Sequence, residues 1–98
     1  MTIWVDSDSC PVRVREVITK ASFRLSVLTV FVANREIPVK KHTCIELVIT
    51  EKTEQSADIY ILKYAVVGDL VITRDIPLAA QLVSNGIAVI NDRGGDFT

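Results

Sequence analysis

The sequence is short of the features that usually announce a function. No apolar run approaches the ~20 residues that a membrane-spanning helix requires, so a membrane role is not expected. The N-terminus has no basic region ahead of an apolar segment, so no secretory signal is read and the expected location is cytoplasmic. The only cysteines are Cys10 and Cys44, with no CxxC pair, and with the lone His42 they make no zinc-type spacing. A disulfide is not favoured in such a compartment. A cysteine-phosphatase loop is excluded as well: the position where an arginine should close a loop begun at Cys10 holds Glu16. Cys10 therefore reads as a small structural residue. An excess of positive charge is also missing. The net charge is −1, so nucleic acid cannot be held by a broad positive field and any such role must rest on a local site. Basic residues gather only at Arg13, Arg15 and Lys20 and at Arg35, Lys40, Lys41 and His42, which read as solvated surface. No repeat, linker or low-complexity stretch is present.

What is present is an alternation of apolar strands and amphipathic helices. The chain has 98 residues, 49% of them hydrophobic. That supports one domain burying roughly two-thirds of its unfolded surface. Residues 2–6 read as a first strand running into Asp6 and Asp8. Pro11 suits the first turn of a helix, whose stripe is Val14, Val17, Ile18 and Ala21 and which fades near Phe23. Residues 27–33 are almost continuously apolar, as a parallel strand covered on both faces should be. Residues 34–43, with Pro38, read as a loop, and 45–49 as a shorter strand. Ser56 can cap a second helix over about 57–66, with Asp58, Ile61, Leu62 and Ala65 on one line and Gly68 beyond its end. Residues 70–73 form the fourth strand. Pro77 opens a third helix carrying Leu78, Ala79, Leu82 and Val83, which Asn85-Gly86 stops. Residues 87–90 form the fifth strand, and Asn91 to Gly95 a turn. The expected fold is α/β: a three-layer, mainly parallel five-stranded sheet in the order 3-2-1-4-5. That order puts a topological switch between strands one and four, where ligands gather at the carboxyl ends of strands.

Four acids can meet there. Asp6 and Asp8 leave strand one, Asp75 leaves strand four, and Asp58 opens the second helix. Carboxylates crowded together take up protons or a cation, and oxygen-only ligands suit Mg²⁺ or Mn²⁺. Each acid has a plain alternative as a helix cap or a dipole partner, typically contributing about 0.3–1 kcal/mol. Ser9, Asn34 and Thr73 lie on the same edge and can orient a substrate or water, although Ser9 and Thr73 also suit local caps. Arg93, followed by Gly94-Gly95, can meet a phosphate or belong to an ordinary turn. Asp69, at the opposite end of strand four, reads as structural, and Asp92 is ambiguous.

The stretch Ile3-Trp4-Val5-Asp6-Ser7-Asp8-Ser9-Cys10-Pro11 resembles the opening D-A-D-A-C-P signature of the bacterial YaiI/YqxD family. Gly68-Asp69-Leu70-Val71-Ile72-Thr73-Arg74-Asp75-Ile76-Pro77-Leu78-Ala79 resembles its second signature, and Val32-Ala33-Asn34 and Asn91-Asp92-Arg93-Gly94 resemble weaker blocks. Serines at 7 and 9, where alanine is usual, and Asp92, where proline is usual, depart from the pattern without removing a candidate ligand. The resemblance implies a single PIN-like domain over residues 1–98, with acids gathered around a divalent metal at positions matching Asp6, Asp58 and Asp75, and Asp8 beside them. Family members usually continue into a C-terminal helical tail. Its apparent absence makes self-association as a homo-oligomer an expectation.

Three functions remain open on the residues. The first is a metal-dependent nuclease or phosphodiesterase acting on RNA or another phosphodiester, with Asp6, Asp8 and Asp75 catalytic and Asp6, Asp8, Asp58 and Asp75 holding Mg²⁺ or Mn²⁺. The second is a haloacid-dehalogenase-like phosphatase with Asp6 as nucleophile and Asp8 as general acid. The third is a non-catalytic module binding RNA, a nucleotide or a protein.

Overall fold

The computed structural model describes residues 1–51 and 56–91. Among the described residues, five strands and three helices follow in the order β1 (Thr2–Asp6), α1 (Val12–Leu25), β2 (Leu28–Ala33), β3 (Ile45–Ile49), α2 (Ser56–Tyr64), β4 (Leu70–Ile72), α3 (Ile76–Ser84) and β5 (Ala88–Ile90). A 3₁₀ turn over Ser7–Ser9 joins β1 to α1. The strands form one sheet in the order β3-β2-β1-β4-β5, with every pair parallel. The fold class and strand order are those expected from the sequence.

The order follows from where the chain goes. From β1 it steps outward to β2 and β3, then crosses back to β4 and β5. Right-handed crossovers require the connections of those two directions to lie on opposite faces. Accordingly α1 packs through Ile18 and Val14 on one face, with Ile3, Val5, Phe31 and Ile72. Helices α2 and α3 pack on the other, with Val30, Val32, Val71 and Val89. The β2–β3 connection has no helix, yet it obeys the same rule: its Ile37 and Val39 cover the α1 face. Strand β2 lies at the centre of both cores, with every residue from Thr29 to Ala33 buried.

Helix α1 runs to Leu25, and its buried face differs from the expected stripe. Ile18, Thr19 and Ser22 are buried, while Val17 is 66% exposed. Hydroxyls explain the difference. Thr19 Oγ1 donates to the Arg15 carbonyl and Ser22 Oγ to the Ile18 carbonyl, each at 2.8 Å, so both satisfy themselves within the helix. Ser22 is also hydrogen-bonded to Thr29 of β2. Small self-satisfied side chains let the helix seat on the sheet and turn Val17 outward. The helix closes at Ser26, which adopts the left-handed conformation at φ 52°.

Helix α2 stops at Tyr64, short of the expected end. The Val66 amide donates to Asp69 Oδ2 and the Asp69 amide to the Val66 carbonyl, and Gly68 turns at φ 101°. This turn draws the backbone out of the helix. No helix among the described residues is long and apolar enough to cross a membrane.

Candidate functional site

Side chains alternate across a strand, and this parity assembles the site. Trp4 packs on the α2/α3 side of the sheet, so Asp6, two residues on, leaves β1 toward the same side. Thr73 stands two residues after Val71 of that core and meets it. Thr73 Oγ1 donates to Asp6 Oδ2 at 2.8 Å. The same oxygen accepts the Asp75 amide at 3.0 Å. Thr73 is 1% exposed and Asp6 4% exposed, so the threonine fixes a buried carboxylate and the start of α3 together. It is more than the local cap that its sequence context suggests.

Asp75 is the N-cap of α3, its Oδ1 accepting the Leu78 amide at 2.9 Å. The capping alternative is therefore real. It is not the whole role, because Asp75 also hydrogen-bonds the carboxyl of Asp58, in the first turn of α2. Asp58 is half-buried, and burial is the largest cause that raises its pKa from 3.8 to about 7. The hydrogen bond with Asp75 and the negative fields of Asp6, Asp75 and Asp8 raise it further. Near neutral pH Asp58 is thus protonated in about half of the molecules, the behaviour of an acid forced against other acids.

Asp8 belongs to the same electrostatic group but faces another way. It is exposed, and its two oxygens accept the Asn34 amide at 3.2 and 3.0 Å. The 3₁₀ turn thereby docks on the end of β2. Asn34 enters through its backbone rather than the side chain that the sequence singles out. Ser9 lies in the 3₁₀ turn. Cys10 is buried, its Sγ 3.8 Å from the Pro11 carbonyl, as a structural residue should be. Arg93, Asp92 and the turn to Gly95 lie outside the described residues.

Residues 4–98 match the family described as Uncharacterized BCR, YaiI/YqxD family. The chain belongs to that family. It is 59% identical over 98 residues to a UPF0178 protein of Treponema denticola, an alignment covering all of this chain and 62% of that protein. Identity is 50% to a UPF0178 protein of Treponema pallidum and 47% to one of Psychromonas ingrahamii, covering all of this chain and 55% and 65% of those proteins. The chain thus spans less than two-thirds of the length of these YaiI/YqxD relatives. No solved structure matches it at a significant level.

The serine of this YaiI/YqxD chain at position 7 is buried and donates to the Val5 carbonyl at 3.3 Å, so it is satisfied locally and adds no group to the acid rim. The donor set of that rim, carboxylate oxygens alone, fits a hard divalent cation in kind. In placement it is not yet a cage: among the described residues, no group of three or more His, Cys, Asp or Glu side chains is positioned to hold a metal ion. Asp8 is engaged by the Asn34 amide and Asp75 by the Leu78 amide.

Proposed function

We propose that this edge is a divalent-cation-dependent phosphodiesterase site of nuclease type, acting on RNA or another phosphodiester. The observation that carries the reading is the convergence of the acids: Asp58 is hydrogen-bonded to Asp75, and Thr73 ties Asp75 to Asp6, so that burial and these neighbours push the Asp58 carboxyl up to about 7. Acids from β1, α2 and the start of α3 accept mutual repulsion that capping alone does not demand, and a bound Mg²⁺ or Mn²⁺ would relieve it. Asp6, Asp58 and Asp75 would hold the ion, with Asp8 at the rim. When bound, the ion supplies charge stabilisation for phosphoryl oxygens and acidifies a water. The chain's own contribution is positioning. Thr73 clamps Asp6, the α3 N-terminus holds Asp75, and Asp58 would hold the ion in its deprotonated form. The phosphatase reading is less well supported, since Asp6 is 4% exposed and one of its oxygens is already held by Thr73.

Calorimetric titration with MnCl₂ tests the reading. Saturable binding accompanied by proton release near pH 7, lost in Asp58→Asn and Asp75→Asn, supports it, as does cation-dependent cleavage of labelled RNA by the wild type. Absence of binding by the wild type ends it.

A further inference from the structure

We propose that the cavity between α1 and the 37–40 segment is a nucleotide-binding site, with Arg15 holding the phosphate. The cavity has a volume of about 530 Å³, within the range of small-molecule sites. Its walls combine Arg15, Lys20 and Lys40 with Val12, Phe31 and Val39. It thus joins members of two basic clusters that the sequence places some twenty residues apart and that read there as solvated surface. The β2–β3 connection brings them together by folding over α1. The Phe23 and His42 rings pack with centroids 4.3 Å apart and pin the returning segment to the helix.

Arg15 decides the ligand's chemistry. Its Nε and Nη1 are shut off from solvent and have no hydrogen-bond partner among the described residues. A guanidinium left unpaired in this way is costly, so the Arg15 side chain gains by turning its fork, which matches two phosphate oxygens, out into the cavity to meet an anion. Glu16 lies in the same wall and opposes an anion. Against it stand Arg15, Lys20 and Lys40, which leave the lining net positive. The apolar residues behind them give a flat organic body a surface that water does not compete for. A phosphate ester with a ring attached satisfies both halves, and a nucleoside monophosphate is the smallest such ligand. None of these residues belongs to the acid rim, so the inference stands whether or not the rim takes a cation.

The test is calorimetric titration with AMP, adenosine and inorganic phosphate, in EDTA so that no divalent cation contributes. AMP should bind with a dissociation constant below about 1 mM, and adenosine at least about tenfold more weakly. Arg15→Gln should weaken AMP by about tenfold or more, and Lys40→Ala, at an exposed position, by a smaller factor. Amide shifts of the ¹⁵N-labelled wild type on adding AMP should cluster at Arg15, Thr19, Lys20, Val39 and Lys40. This map and Lys40→Ala carry the test if Arg15→Gln fails to fold. The proposal is overturned if the wild type shows no saturable AMP binding up to about 10 mM, if adenosine binds as well as AMP, or if the shifts cluster around Asp58 and Asp75.

Discussion

The two ends of the sheet treat the same side chain in opposite ways. At the amino end of the strands Asp69 is 8% exposed. Burial pushes its carboxyl up, but hydrogen bonds from the Trp4 indole and the Thr2 and Val66 amides, with the N-terminal ammonium nearby, outweigh it and hold the carboxyl below its ordinary value. At the carboxyl end Asp58 meets other acids, and its carboxyl rises to about 7. Both are half- to fully buried aspartates in one small domain. What separates them is whether donors or acceptors surround them. A carboxylate surrounded by donors is part of the scaffold; one surrounded by carboxylates is held at a cost that a ligand can remove.

The largest effect should come from breaking the scaffold end. Asp69 accepts Thr2 N at 2.9 Å, Trp4 Nε1 at 2.9 Å and Val66 N at 3.1 Å. Asp69→Ala leaves these donors without their acceptor and should cost about 2–4 kcal/mol in urea unfolding. A loss under about 0.5 kcal/mol, the usual range for a surface substitution, would mean that the donors find other partners and that the contrast is not one of hydrogen bonding. The pH dependence has a definite sign. A lowered carboxyl contributes stability that is present above the ordinary carboxylate pKa and is lost as pH falls through its folded value, so the Asp69 contribution should disappear in acid.

Asp58 should give the opposite slope at a smaller magnitude. Its folded pKa of about 7 lies above the ordinary 3.8, so the folded chain binds a proton that the unfolded chain has released between those values. Stability is therefore greatest below the ordinary value and falls as pH rises toward 7. Asp58→Asn, whose amide can replace the protonated carboxyl beside Asp75, should remove this slope. At pH 8 it should stabilise the protein by about 1–2 kcal/mol, reduced by solvent screening from the larger figure implied by the shift. At pH 4 the gain should vanish. Thermal melts of both proteins across pH 4–8 measure it, and parallel curves would remove the contrast between the two ends.

How much of this contrast is legible in the sequence depends on the distance over which each feature is built. The strands are continuous apolar runs, and the alternation with helices constrains their order, so the shared edge of Asp6, Asp58 and Asp75 follows from topology. The structural role of Asp69 follows from its place at the other end of β4. The orientation of each acid does not follow. Asp8 turns toward a backbone amide of Asn34, and no side-chain pattern announces that contact. The phase of α1 is equally hidden, because Ser22 and Thr19 look solvent-facing until their hydroxyls are seen bonded to the Ile18 and Arg15 carbonyls. The cavity at Arg15 is built by a loop with no regular structure, so neither period nor propensity points to it.

A smaller change, near the amino end and remote from the acid rim, supplies the baseline against which both slopes are read. Ser26 is exposed and ends α1 at φ 52°, a conformation that costs an L-residue roughly 1–2 kcal/mol and glycine almost nothing. Its amide donates to the Phe23 and Ser22 carbonyls, and this capping survives substitution because it uses only backbone. Ser26→Gly gives back part of the relief through the greater freedom of the unfolded chain, about 0.4–1 kcal/mol. The net gain should be about 0.5 kcal/mol, read as a higher urea midpoint at unchanged m-value. Because no titrating group is altered, the gain should be the same at pH 4 and pH 8. A pH-dependent gain would show that stability at the two ends is coupled through the fold, and the Asp58 and Asp69 slopes could then no longer be assigned to their own carboxyls.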